Sequence, residues 1–95
     1  IFTIVDRGQA EEVIDAAVAA GSQGGTVINA RGSGSHETSR LFSMDIEPEK
    51  EVVMILTEQH TTDAVVASIS NAIKIEQPGN GVLFTMDVTN TRGLF

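Results

Sequence analysis

The chain has 95 residues, 41% of them apolar, which is enough for one domain with a single hydrophobic core. Thirteen acidic residues against six basic ones give a net charge of -7, which argues against binding to nucleic acid or to an anionic membrane surface. Cysteine is absent, which excludes disulfides and thiolate chemistry, and no apolar run is long enough to span a bilayer.

The first part of the chain predicts a strand, a helix and a second strand. Residues 1–5 are rich in β-branched side chains and apolar on both alternating faces, as in a central strand. Apolar residues recur at helical spacing between residues 9 and 20, and Gly21 can adopt the left-handed conformation that ends a helix. The predicted buried stripe of this helix is Ala10, Val13, Ile14, Ala17 and Val18. Residues 26–31 predict the second strand.

A long segment of small and polar residues, 32–51, separates the second strand from the third. Compact domains usually join strands by short turns, and long loops are more often functional. Residues 42–46 alternate apolar and polar side chains, which predicts an exposed hairpin arm. Pro48 fits the edge or the start of a strand, and residues 51–57 predict the third core strand.

The last part of the chain predicts a helix and a strand. Thr61 or Thr62 is expected to cap the helix, which runs to about residue 75. Its predicted buried stripe is Val65, Val66, Ile69, Ala72 and Ile73. Residues 77–81 are dense in turn formers, and residues 82–88 predict a strand with Phe84, Met86 and Val88 on one face. Residues 89–95 show no strong preference.

The order β-α-β-loop-β-α-β predicts an α+β fold. Two right-handed crossovers of this kind give the ferredoxin-like βαββαβ plait, a four-stranded antiparallel sheet with two helices on one face. We expect residues 1–95 to form a single domain of this kind. Because the strands are apolar on both faces, we also expect the uncovered face of the sheet to pack against other copies of the chain.

Few residues could carry chemistry. A metal or acid–base site could be built only from His36, Glu37, Asp45 and His60, and adjacent side chains such as His36 and Glu37 do not point at one ion. The serines at positions 33, 35, 39 and 43 lack a nucleophile elbow and a His–acid pair. We therefore predict a protein that is not an enzyme and has no metal site.

Two glycine pairs are more informative. Gly32-x-Gly34 follows the second strand, and Gly79-Asn80-Gly81 precedes the last one. Glycine lets a backbone approach a ligand closely and offer it N–H groups, which is the geometry that cradles phosphates. Because both pairs lie at loop mouths of one sheet, they predict a ligand site.

In sequence order, the motifs resemble the PII family of nitrogen-regulatory signalling proteins. Ala20-Gly21…Gly25-Thr26-Val27 and Arg31-Gly32-Ser33-Gly34 are similar to the family's A-G-x-x-G-x-T-V segment and to the entry of its T-loop. Asp45-Ile46-Glu47-Pro48 is similar to the exit of the T-loop, and Gly79-Asn80-Gly81-Val82-Leu83-Phe84 to the G-D-G-x-I-F B-loop. The resemblance covers nearly the whole chain.

The resemblance implies a cytoplasmic homotrimer with adenine-nucleotide sites (AMP, ADP or ATP) between subunits. The implied ligand-binding residues are Thr26, Gly32, Ser33, Gly34, Gly79, Asn80, Gly81 and Arg92. Segment 32–51 would be the T-loop, with Ser35, His36, Glu37 and Arg40 contacting a regulated transporter or enzyme in nitrogen or carbon metabolism. No nucleic acid partner and no membrane insertion are implied.

The chain also departs from the family pattern. It has no tyrosine, which excludes tyrosyl uridylylation, and its loop is shorter than in standard members. Val82 and Glu49 stand where the family has basic residues, which favours AMP, ADP or another small ligand over ATP. Two alternatives stay open: a trimeric metal-binding protein of the CutA type using His36 or Glu37, and a purely structural plait, such as one half of a tandem protein.

Overall fold

The computed structural model describes residues 1–32, 39–41, 44–46 and 48–94 of the chain. Two helices and six strands lie in these ranges. In chain order they are β1 (Phe2–Asp6), α1 (Ala10–Ala19), β2 (Thr26–Arg31), β3 (Ser39–Leu41), β4 (Met44–Ile46), β5 (Glu49–Met54), α2 (Gln59–Ile73) and β6 (Val82–Phe84).

Four of the strands form an antiparallel sheet in the order β2-β5-β1-β6. This order, with a helix between β1 and β2 and another between β5 and β6, confirms the predicted ferredoxin-like plait. β3 and β4 pair separately, inside segment 32–51, and β4 lies within the hairpin arm predicted over residues 42–46. Arg31 lies opposite Glu49, and the Gly32 N–H donates to the Pro48 carbonyl at 3.1 Å, which brings the two ends of that segment together.

The hydrophobic core lies between the two helices and one face of the sheet. Alternate residues of β1 and β5, such as Val5 and Val53, are fully buried there because side chains alternate across a strand. The helices contribute residues at helical spacing: Ala10, Val13 and Ala17 from α1, and Val65, Ile69 and Ile73 from α2. Val18 is the exception to the predicted stripes, since half of it is exposed.

The opposite face of the sheet is apolar and uncovered within the described ranges, as predicted. Ile28 is 46% exposed, Val82 57% and Phe84 41%, and the rings of Phe2 and Phe84 stack with centroids 5.1 Å apart. In the register these residues occupy the alternate positions to those that face the helices. We refer to this surface as the open face.

Four predicted boundaries are wrong by a few residues. β5 starts at Glu49 rather than at residue 51, because its polar first residues find partners on β1 and β2, and it ends at Met54 rather than at 57. The N-cap of α2 is Glu58: the hydroxyls of Thr61 and Thr62 donate to its carbonyl from inside the first turn. α2 ends at Ile73, because Lys74 is left-handed with φ of 53°.

The last strand is also shorter than predicted. β6 ends at Phe84, which lies opposite Phe2 of β1. Met86 and Val88, predicted to continue the strand, are 63% and 57% exposed. Alternation of side chains predicts the strand but does not fix the residue at which it ends.

Candidate functional site

A cavity of about 350 Å³ lies at the end of the sheet where β2 finishes and β5 begins. Its volume is at the lower end of the range for small-molecule sites. The residues lining it come from the open face, the ends of strands and the turn before β6. They are Ile4, Val5, Asp6, Ala30, Arg31, Gly32, Lys50, Val52, Gly79, Gly81 and Val82. Both loop mouths predicted from the glycine pairs therefore meet at one cavity.

The glycines of the cavity wall differ in what they contribute. A Cβ on Gly81 would lie 2.8 Å from the Ile4 carbonyl oxygen, and its φ is +144°, so the turn can pack against β1 only with glycine there. Gly32 has neither constraint: its φ lies outside the left-handed region and nothing lies within 4 Å of the position of a Cβ. Gly81 is therefore needed for the fold, whereas Gly32 leaves the backbone open at the cavity.

Asn80 uses its side chain inside the protein. Its amide nitrogen donates to the carbonyls of Ile73 at 2.9 Å and Lys74 at 3.1 Å, at the end of α2, where carbonyls have no partner within the helix. The turn that carries Gly79 and Gly81 is thereby fixed to the helix. That Asn80 contacts a ligand stays a prediction. Because its side-chain amide is used inside the protein, the main chain of Asn80 would make that contact.

The chemistry of the cavity is mixed. Ile4, Val52 and Val82 give it an apolar wall, and Arg31 and Lys50 bring cations. The Lys50 ammonium lies 2.5 Å from the Asp6 carboxylate, and only 11% of the Lys50 side chain is exposed. An apolar surface beside a few polar and charged groups suits a ligand with a flat apolar part and an anionic group.

Asp6 and Lys50 were not among the residues proposed from sequence. The sequence pattern places Lys50 in the loop, because it predicts a strand that begins at residue 51. The pattern from Lys50 through Val52 to Met54 shows that these three share one face once the strand is extended back toward Pro48. This alternation is the sequence pattern that indicates that Lys50 belongs to the strand.

Two further contacts tie β5 to the start of α1. Arg7 pairs with Glu49, and one Glu51 oxygen accepts hydrogen bonds from the N–H groups of Gly8 at 2.7 Å and Ala10 at 3.1 Å. The N-cap residue of α1, Gln9, provides no side-chain cap. Glu51 therefore satisfies donors that the helix itself leaves unpaired.

The other predicted site residues do not meet at the cavity. Thr26 is at the opposite end of β2 from Arg31. At a rise of about 3.3 Å per residue, the two residues are about 17 Å apart. Arg92 is exposed in the segment after β6 and does not line the cavity.

The remaining predicted residues fall in or beside the gaps in the described ranges. Ser33, Gly34, Ser35, His36 and Glu37 lie outside the described residues, and Arg40 lies in β3, opposite Asp45. His36 and Glu37 are the residues on which the metal-binding alternative depends. Elsewhere in the described part of the chain, no three His, Asp or Glu side chains are close enough together to hold a metal ion.

The family model described as Nitrogen regulatory protein P-II matches residues 1–94. A search of curated proteins returned no match.

Proposed function

Because the chain belongs to the P-II family of nitrogen regulatory proteins, we propose that it binds an adenine nucleotide at the cavity and regulates a partner through segment 32–51. Proteins of this family are regulatory signalling proteins rather than enzymes, and they are generally trimers. The single observation that carries the proposal is that Gly32, Gly79 and Gly81, from both predicted loop mouths, line one cavity together with Arg31 and Lys50.

The position of Thr26 supports a site shared between copies. In the register Thr26 lies opposite Met54, on the same face as Ile28 and Val52, which is the open face. It cannot reach the cavity of its own chain, but a second copy covering the open face could bring its Thr26 there. The exposed apolar side chains of that face favour such packing, since burying them removes apolar surface from water.

The base of segment 32–51 is part of the cavity, which supports regulation of the segment by the ligand. Gly32 and Lys50 both line the cavity, and the hydrogen bond between Gly32 and Pro48 closes the base. A ligand bound there would touch both ends of the segment. The partner is expected to be a transporter or an enzyme in nitrogen or carbon metabolism.

A cytoplasmic location and the absence of nucleic acid partners stay predictions. Neither described helix is both long and apolar enough to cross a membrane; α2, the longer, has 15 residues.

Calorimetric titration with AMP, ADP and ATP tests the proposal. Arg31→Gln removes a cation from the cavity wall, and a lost charged hydrogen bond is worth about 1.5–3 kcal/mol, so we expect Kd to rise at least about tenfold. Lys74→Gln removes the same charge outside the cavity and should leave Kd unchanged. Gly32→Ala, which meets no atom within 4 Å, should weaken binding without loss of stability.

Wild-type protein that binds none of the three nucleotides would contradict the proposal. So would equal effects of Arg31→Gln and Lys74→Gln, because binding would then depend on net charge and not on the cavity.

A further inference from the structure

The cavity wall contains a carboxylate where a phosphate-binding site would be expected to hold only cations. Asp6 lies directly opposite Lys50 on the neighbouring strand, so both side chains project from the same face, and both line the cavity. Their charged atoms are 2.5 Å apart. The Lys50 ammonium group, one of the two cations among the described lining residues, is therefore paired with a carboxylate.

The two partners differ in exposure. The Asp6 side chain is 51% exposed, whereas that of Lys50 is 11% exposed. An anionic ligand entering the cavity therefore meets the carboxylate more directly than the ammonium group. Repulsion between like charges at such short range costs more than it would in bulk water.

The charge balance of the cavity limits the anion it can neutralise. Among the described residues that line the cavity, Arg31 and Lys50 against Asp6 give a net charge of one positive unit. A phosphate monoester carries about -1.5 to -2 at pH 7. Each further phosphate group adds about one more negative charge, and the described part of the wall holds no further cation to balance it.

We propose that Asp6 is a specificity-determining residue that selects adenine nucleotides with one phosphate group over diphosphates and triphosphates. This inference rests on the proposed function, since it assumes that an adenine nucleotide binds at the cavity. In this proposal Asp6 repels diphosphates and triphosphates, while the other residues of the cavity attract the monophosphate.

Calorimetric titration of Asp6→Asn with AMP and ATP tests this role. Wild-type protein should bind AMP more tightly than ATP. Removing the charge should shift the ratio of the two Kd values toward ATP by at least about tenfold, because the extra phosphates lose a repulsion. Asparagine has nearly the same shape and the position is half exposed, so folding should be kept; Asp6→Ser is a second variant with the same expected shift.

Asp15→Asn is the matched control. Asp15 is an exposed carboxylate on α1, on the other side of the sheet, and it does not line the cavity. Its substitution is the same as that of Asp6 and removes the same charge, and it should leave the ratio of Kd values unchanged.

The outcomes separate this inference from the function on which it rests. If wild-type protein binds nucleotides without preference for AMP, or the ratio is unchanged in Asp6→Asn, the role of Asp6 is overturned and the proposed function stands. An equal shift in Asp6→Asn and Asp15→Asn overturns it as well, because net charge would explain both. If wild-type protein binds no nucleotide, the proposed function fails, and the inference fails with it.

Discussion

Thr3 is a buried polar residue that lowers the stability of the fold. The Thr3 hydroxyl is fully buried in the core and has no hydrogen-bond partner among the described residues. A buried hydroxyl without a partner loses its hydrogen bonds to water and gains none in return. Thr57 is the opposite case, because its hydroxyl lies 2.7 Å from that of Thr62. Thr3 is thus fully buried and unpaired among the described residues, whereas Thr57 is partly buried and paired.

We expect Thr3→Val to stabilise the protein by about 1 kcal/mol, since it removes the unpaired hydroxyl and keeps the shape of the side chain. Thr57→Val is the matched control and should destabilise by about 0.5–1.5 kcal/mol, because it breaks a hydrogen bond. The measurement is the free energy of unfolding in urea at one fixed protein concentration, since oligomers unfold with a concentration dependence. A loss of stability in Thr3→Val would show that its hydroxyl has a partner in solution.

At the scale of elements, the structure depends on contacts between segments distant in sequence. α1 has acidic residues in its first turn, but its N-cap residue provides no side-chain cap. Instead, a carboxylate oxygen of Glu51 on β5 accepts hydrogen bonds from the N–H groups of Ala10, the first residue of α1, and of Gly8 just before the helix. A carboxylate at the start of a helix is also favoured by the helix dipole. β5 is thus a core strand and the N-terminal cap of α1.

Glu51→Ala should therefore destabilise the protein by about 1–2 kcal/mol, the usual cost of losing an N-cap. Glu49→Ala is the control on the same strand: it removes an exposed ion pair with Arg7, and such pairs contribute about 0–1 kcal/mol. Urea unfolding followed by circular dichroism measures both variants. Equal effects would mean that Glu51 contributes only its charge and not a cap.

At the scale of the whole molecule, the helices cover one face of the sheet and leave the other exposed among the described residues. The open face carries Ile28, Val82 and Phe84, each more than 40% exposed in the single chain. A surface of this kind is typical of a protein–protein interface. Proteins of the P-II family are generally trimers, and the open face is where we expect the copies to meet.

We expect Ile28→Lys to prevent assembly, because it would place an unpaired charge in an apolar interface. Light scattering should give the mass of three chains for wild-type protein and of one chain for this variant. Val18→Lys is the control: Val18 is 50% exposed, close to the 46% of Ile28, but it lies on α1, on the other side of the sheet. Loss of assembly in both variants, or in neither, would rule out the open face as the interface.

The sequence by itself determined the fold class, the order of the elements and the family. Strand alternation and helical spacing are local patterns, and they place Val13 and Ala17 or Val65 and Ile69 in the core without knowledge of what covers them. The glycine pairs were also recognisable, because their conformational freedom is a property of the residue itself.

Only the tertiary structure decided where strands stop and which residues share the cavity. β5 extends back to Glu49 because Glu49 lies opposite Arg31 of β2, and the Asp6–Lys50 contact joins residues 44 positions apart. Glu51 likewise caps a helix more than forty residues away. Such contacts depend on the register between strands, which brings together residues whose own surroundings in the chain give no sign of the pairing.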